Sequence, residues 1–319
     1  MYQENYHELV KVVEEDAVII NISRHRNPDG SFNRELNMKT WNQAVKRFNA
    51  IPLWENEVPN WDDEKDPLQI KPSIIFVPVQ SEEKKGTVIV SCGGGFSTRT
   101  GCEGFNVAKY FTDAGFNTAI LTYRLQPYTR QDALDDIQRA IRLLRSRKDE
   151  LNITDKIVCM GFSAGGMLSG NAATRFDYGN KDAEDPIERE SCRPDGAVLG
   201  YGAFAFAGLP GGFFVNPFAK EIRNPFFRTK EELIYFSPEV SITPETPPFF
   251  IWQTNSDDPR NSFTLGQALT AQGIEFEMHL FPEGVHGLAL ADGHNDLAMD
   301  IPQVAKWAEL CVGWLNKIL

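Results

Sequence analysis

Positive charge is scarce in this chain: 32 Lys and Arg face 44 Asp and Glu, for a net charge of −12. Nucleic acid or an anionic membrane surface would want clustered Lys and Arg, so neither is expected as a partner. Long apolar runs are missing as well. No stretch approaches the roughly 20 apolar residues of a membrane span. Residues 1–15 are polar and acidic, without the basic start and apolar run of a signal peptide. Cysteine is sparse and odd in number, and Cys92, Cys102, Cys159, Cys192 and Cys311 follow no metal-ligand spacing. Cys159 and Cys311 lie inside apolar runs and read as buried thiols, so a reducing cytoplasm is the expected setting. No internal repeat, low-complexity tract or linker interrupts the chain, which reads as one domain.

What is present is a regular alternation. Short apolar runs at 73–79, 87–91, 117–122, 156–160, 196–201, 248–254 and 275–281 have the look of strands covered on both faces. Between them lie helical patterns. Residues 132–148 place Leu134, Ile137, Ile141 and Leu144 on one face with Arg and Asp opposite. Residues 300–318 do the same with Val304, Trp307, Cys311, Trp314 and Ile318. This alternation predicts an α/β fold with a mostly parallel central sheet flanked by helices. Ahead of it, residues 17–22 read as a strand, Asn27-Pro28-Asp29-Gly30 as a turn and 38–48 as a short helix. Residues 203–246 break the rhythm with Phe204, Phe206, Phe213, Phe214, Phe218, Phe226, Phe227, Tyr235 and Phe236 among glycines and prolines. That aromatic insertion is expected to line or lid a pocket, or else to extend the core.

Gly161-Phe162-Ser163-Ala164-Gly165-Gly166 follows one strand and precedes a helical pattern at 165–174. A Gly-x-Ser-x-Gly sequence also occurs as an ordinary glycine-rich turn. With a strand before and a helix after it, the better reading is a nucleophile elbow, which lifts Ser163 to the N-terminus of a helix where negative charge is favoured. Serine needs a base. Three histidines follow it. His279 lies within a strand pattern, and His294 is in a loop further on. His286 sits in the glycine-containing loop just after the 275–281 strand, so it is the expected base. Asp257 and Asp258 follow the 248–254 strand at once; either could orient the imidazole, and the other would cap the next helix near Asn261.

Upstream, Ser91-Cys92-Gly93-Gly94-Gly95-Phe96 follows the 87–91 strand. Its uncovered N–H groups suit an oxyanion hole, with Gly94 and Gly95 contributing alongside the N–H of Ala164. A phosphate loop would need a Lys-Ser/Thr ending that is missing here, and a dinucleotide site a different glycine spacing. A thiolate role for Cys92 would need an activating base or cation, so it reads as a small buried residue.

With these residues in view, the chain from about Ile51 resembles the acetylesterases and carbohydrate (xylan) esterases of the α/β-hydrolase superfamily. The resemblance rests on Ile51-Pro52-Leu53-Trp54, Gly93-Gly94-Gly95-Phe96, Glu103-Gly104, Tyr123-Arg124-Leu125, Gly161-Phe162-Ser163-Ala164-Gly165-Gly166, Ser237-Pro238, Trp252-Gln253-Thr254 and His286-Gly287-Leu288. It implies Asp257 rather than Asp258 as the acid, because the family places its aspartate shortly after a Trp-x-Thr strand end. It also implies short-acyl esters, often acetyl groups on sugars, as substrates, with no cofactor. Glu103 and Arg124 read as scaffold, a strand-end arginine paired with a buried carboxylate. The expected layout is an N-terminal extension over 1–50 and a hydrolase domain over 51–319. A peptidase on the same fold is the alternative, and a non-catalytic ligand-binding homologue a weaker one. The partner expected is a small-molecule ester; a homo-oligomer is left open.

Overall fold

The computed structural model describes residues 2–81, 83–202, 204–207 and 229–319. In chain order the helices are α1 (Gln3–Glu15), α2 (Ala17–Ile20), α3 (Arg34–Val45), α4 (Val107–Asp113), α5 (Arg130–Ser146), α6 (Lys148–Leu151), α7 (Ala164–Thr174), α8 (Lys230–Tyr235), α9 (Arg260–Ala271) and α10 (Pro302–Ile318). The strands are β1 (Ile51–Pro52), β2 (Ser73–Val77), β3 (Lys85–Ser91), β4 (Asn117–Thr122), β5 (Ile153–Phe162), β6 (Gly196–Gly200), β7 (Phe249–Thr254) and β8 (Phe276–Phe281). They form one sheet in the order β1-β2-β4-β3-β5-β6-β7-β8. Pairings of β1 with β2 and of β2 with β4 are antiparallel, and every later pair is parallel.

Parallel strands need helical crossovers, and the crossovers cover both faces of the sheet. That is why β4, β6 and β7 are buried at every position, and why their sequences read as unbroken apolar runs. At the edge, β8 is only partly covered and carries the Glu277–His279 pair. Helix α10 lays Trp307 flat against Trp252 of β7, ring centroids 4.9 Å apart. Helix α5 starts on a reciprocal Thr129–Asp132 capping box. Its expected polar face is not solvated. Arg139 and Arg142 are buried there and pair with Asp185, Glu188 and Asp177 from the segment that crosses over them.

The N-terminal residues depart from expectation. The run at 17–22 is a helical turn, not a strand. Asp16 accepts the Ile19 N–H and caps it, and Ile19, Ile20 and Ile22 turn inward while Val18 stays exposed. Short apolar runs do not distinguish strand from helix, and here the cap decided. Leu9, Val12 and Trp41 join the same apolar cluster as Val88, Val90 and Phe105. Asn5 donates to the Phe76 carbonyl and accepts from the Asn49 N–H. The 27–30 turn is present, closing a bridge between Arg26 and Phe32. Among the described residues, no helix is long and apolar enough to cross a membrane.

Candidate active site

The parallel strands β3, β5, β6, β7 and β8 all point their C-terminal ends at one edge of the sheet, where loops from several strands can converge. Ser163 follows β5 and opens α7. Its φ of 51° and ψ of −119° lie in territory that costs an L-residue on the order of 1–3 kcal/mol. The turn is held by the Ser163 N–H donating to the Gly200 carbonyl, 3.0 Å, and by the Met167 N–H donating back to the Ser163 carbonyl, 3.0 Å. The flanking glycines are dictated by space. A Cβ on Gly161 would lie 2.0 Å from the Gly165 carbonyl oxygen, and one on Gly165 would lie 2.0 Å from that of Ser91. Strand, turn, helix and the neighbouring β3 end pack too tightly for any side chain there.

The loop after β8 brings His286 over this turn. Its Nε2 is 2.8 Å from Ser163 Oγ, and its Nδ1 is 2.7 Å from Asp257 Oδ2. The imidazole is half exposed, whereas Asp257 is buried. The two loops are tied together: Asn255 N–H donates to the Phe281 carbonyl, and the Ser256 hydroxyl to that of Gly284. Gln253 donates to the Asp257 carbonyl and accepts from Ser262, fixing the acid's turn. Partial burial pulls the imidazole's pKa down, but the hydrogen bond and charge of Asp257 outweigh it, helped by the charge of Glu103. The net direction is up from 6.5.

Asp258 points away from His286. Its backbone has φ of +46°, and its carboxylate forks onto the Arg260 guanidinium at 2.6 and 2.7 Å. His279 pairs with Glu277 on β8. His294 lines a separate cavity with residues of α1 and α4. Cys92 is fully buried, and burial pushes its thiol up to about 11, so it is no nucleophile. Arg124 is paired as expected at a strand end, but with Asp132 and Asp136; Glu103 is not its partner.

A cavity of about 620 Å³ opens onto Ser163 and His286. Gly94, Gly95 and Ala164 line it, and among the described residues the Gly94 and Gly95 N–H groups meet no protein acceptor. Of the aromatic insertion, Phe204, Phe206 and Phe236 are buried in the core and none of them lines the cavity. Phe213, Phe214, Phe218, Phe226 and Phe227 lie outside the described residues. Sequence reasoning missed part of the wall. Ser23, Arg24 and Arg26 reach it from the N-terminal segment, and Glu103 and Tyr201 from beneath. Arg24 donates to the carbonyls of Asn295 and Asp296, pinning the loop that forms the opposite rim. The N-terminal contribution follows from the helical turn at 17–20, which an expected strand over 17–22 would not deliver. The 196–201 run puts Tyr201 inside a strand, whereas it stands one residue past β6. Among the described residues no group of three or more His, Cys, Asp or Glu side chains is arranged to hold a metal ion.

A mostly parallel sheet whose central strand ends in a strained serine, with a histidine and an aspartate delivered by the last two strands, defines an α/β hydrolase. Within that class the chain belongs to the BD-FAE family, whose model matches residues 74–269. It is 33% identical over 262 residues to an endo-1,4-beta-xylanase B of Butyrivibrio fibrisolvens, covering 78% of this chain and 39% of that protein. To an acetylxylan esterase of Xylanibacter ruminicola it is 24% identical, covering 72% of this chain and 46% of that one. The chain therefore spans less than half the length of these two relatives. Among solved structures, the acetyl ester-xyloside bifunctional hydrolase of Caldicellulosiruptor lactoaceticus matches with a TM-score of 0.74 and 35% identity. That match covers 85% of this chain and 96% of the other. A sugar hydrolase from Lactococcus lactis matches with a TM-score of 0.61 and 25% identity, over 77% and 94%.

Proposed function

We propose that the protein is a serine esterase that removes short acyl groups, acetyl foremost, from carbohydrate alcohols. The observation that carries this reading is the single imidazole bridging Ser163 and Asp257 at 2.8 and 2.7 Å on the floor of an open cavity. In this reading Ser163 Oγ attacks the ester carbonyl as His286 Nε2 takes its proton. Asp257 holds the Nδ1–H tautomer and stabilises the imidazolium that results. The oxyanion sits against the N–H groups of Gly94, Gly95 and Ala164, at the N-terminus of α7. His286 then protonates the departing sugar alcohol, and later activates the water that releases acetate.

Acetyl on a sugar is favoured by the relatives: two carry acetyl-ester chemistry in their names, one of them together with xyloside hydrolysis. The fold alone would allow amide substrates too. The test is a panel of acetylated xylo-oligosaccharides, p-nitrophenyl esters of rising acyl length and aminoacyl anilides. Highest kcat/KM is expected for acetyl esters, with acetate released from the oligosaccharides. Turnover confined to the anilides would replace this reading with a peptidase.

A further inference from the structure

Beneath the oxyanion loop lies a second carboxylate that the serine–histidine–aspartate chemistry does not use. Glu103 stands in a wide π-helical turn, Cys102–Asn106, that leads into α4. Such turns are rare and found disproportionately at functional sites. Its side chain is 2% exposed. It accepts from the Gly93 N–H, the Thr100 hydroxyl and the Tyr201 phenol, the last at 2.8 Å. No lysine or arginine pairs with it among the described residues. A buried carboxylate held only by neutral donors is costly, and proteins keep few of them without a counter-charge.

Glu103 lies directly behind the nucleophile turn. A Cβ on Gly93 would lie 2.7 Å from Glu103 Oε2 and 2.8 Å from Ser163 Cβ. Carboxylate and nucleophile are thus separated by one glycine's width. Tyr201, on the loop after β6, donates to Glu103 and accepts the Ala289 N–H at 2.9 Å, three residues past His286. Its ring stands edge-on to the imidazole, centroids 5.2 Å apart.

We propose that Glu103 is a positioning residue of this site: it orients His286 through Tyr201, shapes the oxyanion loop through Gly93, and supports the imidazolium as it forms. This rests on the serine-esterase reading above. The charged groups around His286 are Asp257 from the loop after β7, Glu103 from the π-helical turn, and Arg24, Arg26 and Asp296 on the cavity wall. Of these, Asp257 and Glu103 raise the imidazole's pKa. The charge of Glu103 reaches Asp296 as well, which burial and that charge together push up to about 7.

Activity needs neutral His286, so kcat/KM should rise with pH through the imidazole's pKa. Losing a negative neighbour should move that limb to lower pH. The experiment measures p-nitrophenyl acetate hydrolysis and the rate of fluorophosphonate labelling of Ser163 from about pH 5 to pH 9. Wild type is compared with Glu103→Gln, Glu103→Asp and Tyr201→Phe. In Glu103→Gln the acidic limb of both profiles is expected to fall by about half a unit to one unit. Its kcat is expected to drop roughly tenfold, with KM changed less than about twofold. Glu103→Asp, which keeps the charge, should return the limb toward wild type. Tyr201→Phe keeps the charge but cuts the link from Glu103 to the Ala289 N–H beside His286, so it should lower kcat several-fold with the limb moved less than in Glu103→Gln, which carries the test if Glu103→Gln does not fold. An unmoved limb in folded Glu103→Gln, or wild-type kcat in Tyr201→Phe should Glu103→Gln not fold, would reduce Glu103 to scaffold and overturn the proposal. If wild type itself showed no labelling of Ser163, the esterase reading would fail instead.

Discussion

Replacing Ser163 by alanine is expected to leave the protein folded and to lower esterase turnover by a factor on the order of 10⁴ to 10⁶. The two halves of this expectation have separate causes. Alanine keeps the Cβ, so the strain at φ 51° is unchanged, and the backbone bonds to Gly200 and from Met167 remain. What is lost is one hydrogen bond to a half-exposed imidazole, so thermal or urea unfolding should move by no more than about 1 kcal/mol. The chemistry loses its nucleophile altogether. What remains is the modest help of the oxyanion N–H groups to attack by water. A folded Ser163→Ala protein with wild-type turnover would remove the serine from the mechanism.

The second large effect separates two adjacent aspartates. Asp257→Asn should lower kcat by about 10⁴-fold, because an amide facing Nδ1 no longer holds the tautomer that leaves Nε2 free to accept the serine proton. Asp257 also contributes most of what raises the His286 pKa, so whatever activity survives should show its acidic limb at lower pH. Asp258→Asn breaks only a fork with Arg260, which is 57% exposed. Exposed pairs of this kind are worth about 0–1 kcal/mol, and turnover should stay within about threefold of wild type. Comparing kcat of the two variants at one pH suffices. A large loss confined to Asp258→Asn would reverse the assignment.

That pair also shows what a sequence can and cannot carry. Strand-then-aspartate spacing points at both residues equally, and only the likeness to carbohydrate esterases favours Asp257. The deciding feature is the positive φ at Asp258, which turns its carboxylate toward Arg260. Backbone handedness at a single loop residue leaves no mark in composition or period. Ser163 and His286 were legible because each is announced by local order, a strand end followed by a glycine-bracketed turn. The parallel sheet was legible for the same reason: strands buried on both faces must be apolar throughout.

Glu103 was visible as a motif residue, but its partners were not. Gly93 stands only ten residues before it, but Tyr201, just past β6, comes near it only after the intervening strand crossovers have folded back. The N-terminal wall failed differently. A β-branched run at 17–22 looks like a strand, and nothing local says that Arg24 will close on a loop some 270 residues away. Contacts made by topology stay silent in the sequence until the sheet order is known.

The proposed mechanism turns on a covalent acyl group carried on Ser163. The direct measurement is to quench the enzyme during turnover of a slowly deacylating ester, determine the intact mass, and map the modified peptide. One added acyl mass is expected on the peptide containing Gly161-Phe162-Ser163-Ala164-Gly165, absent from Ser163→Ala and accumulating on the timescale of the product burst. An acyl group found on another residue, with turnover unaffected by Ser163→Ala, would contradict it.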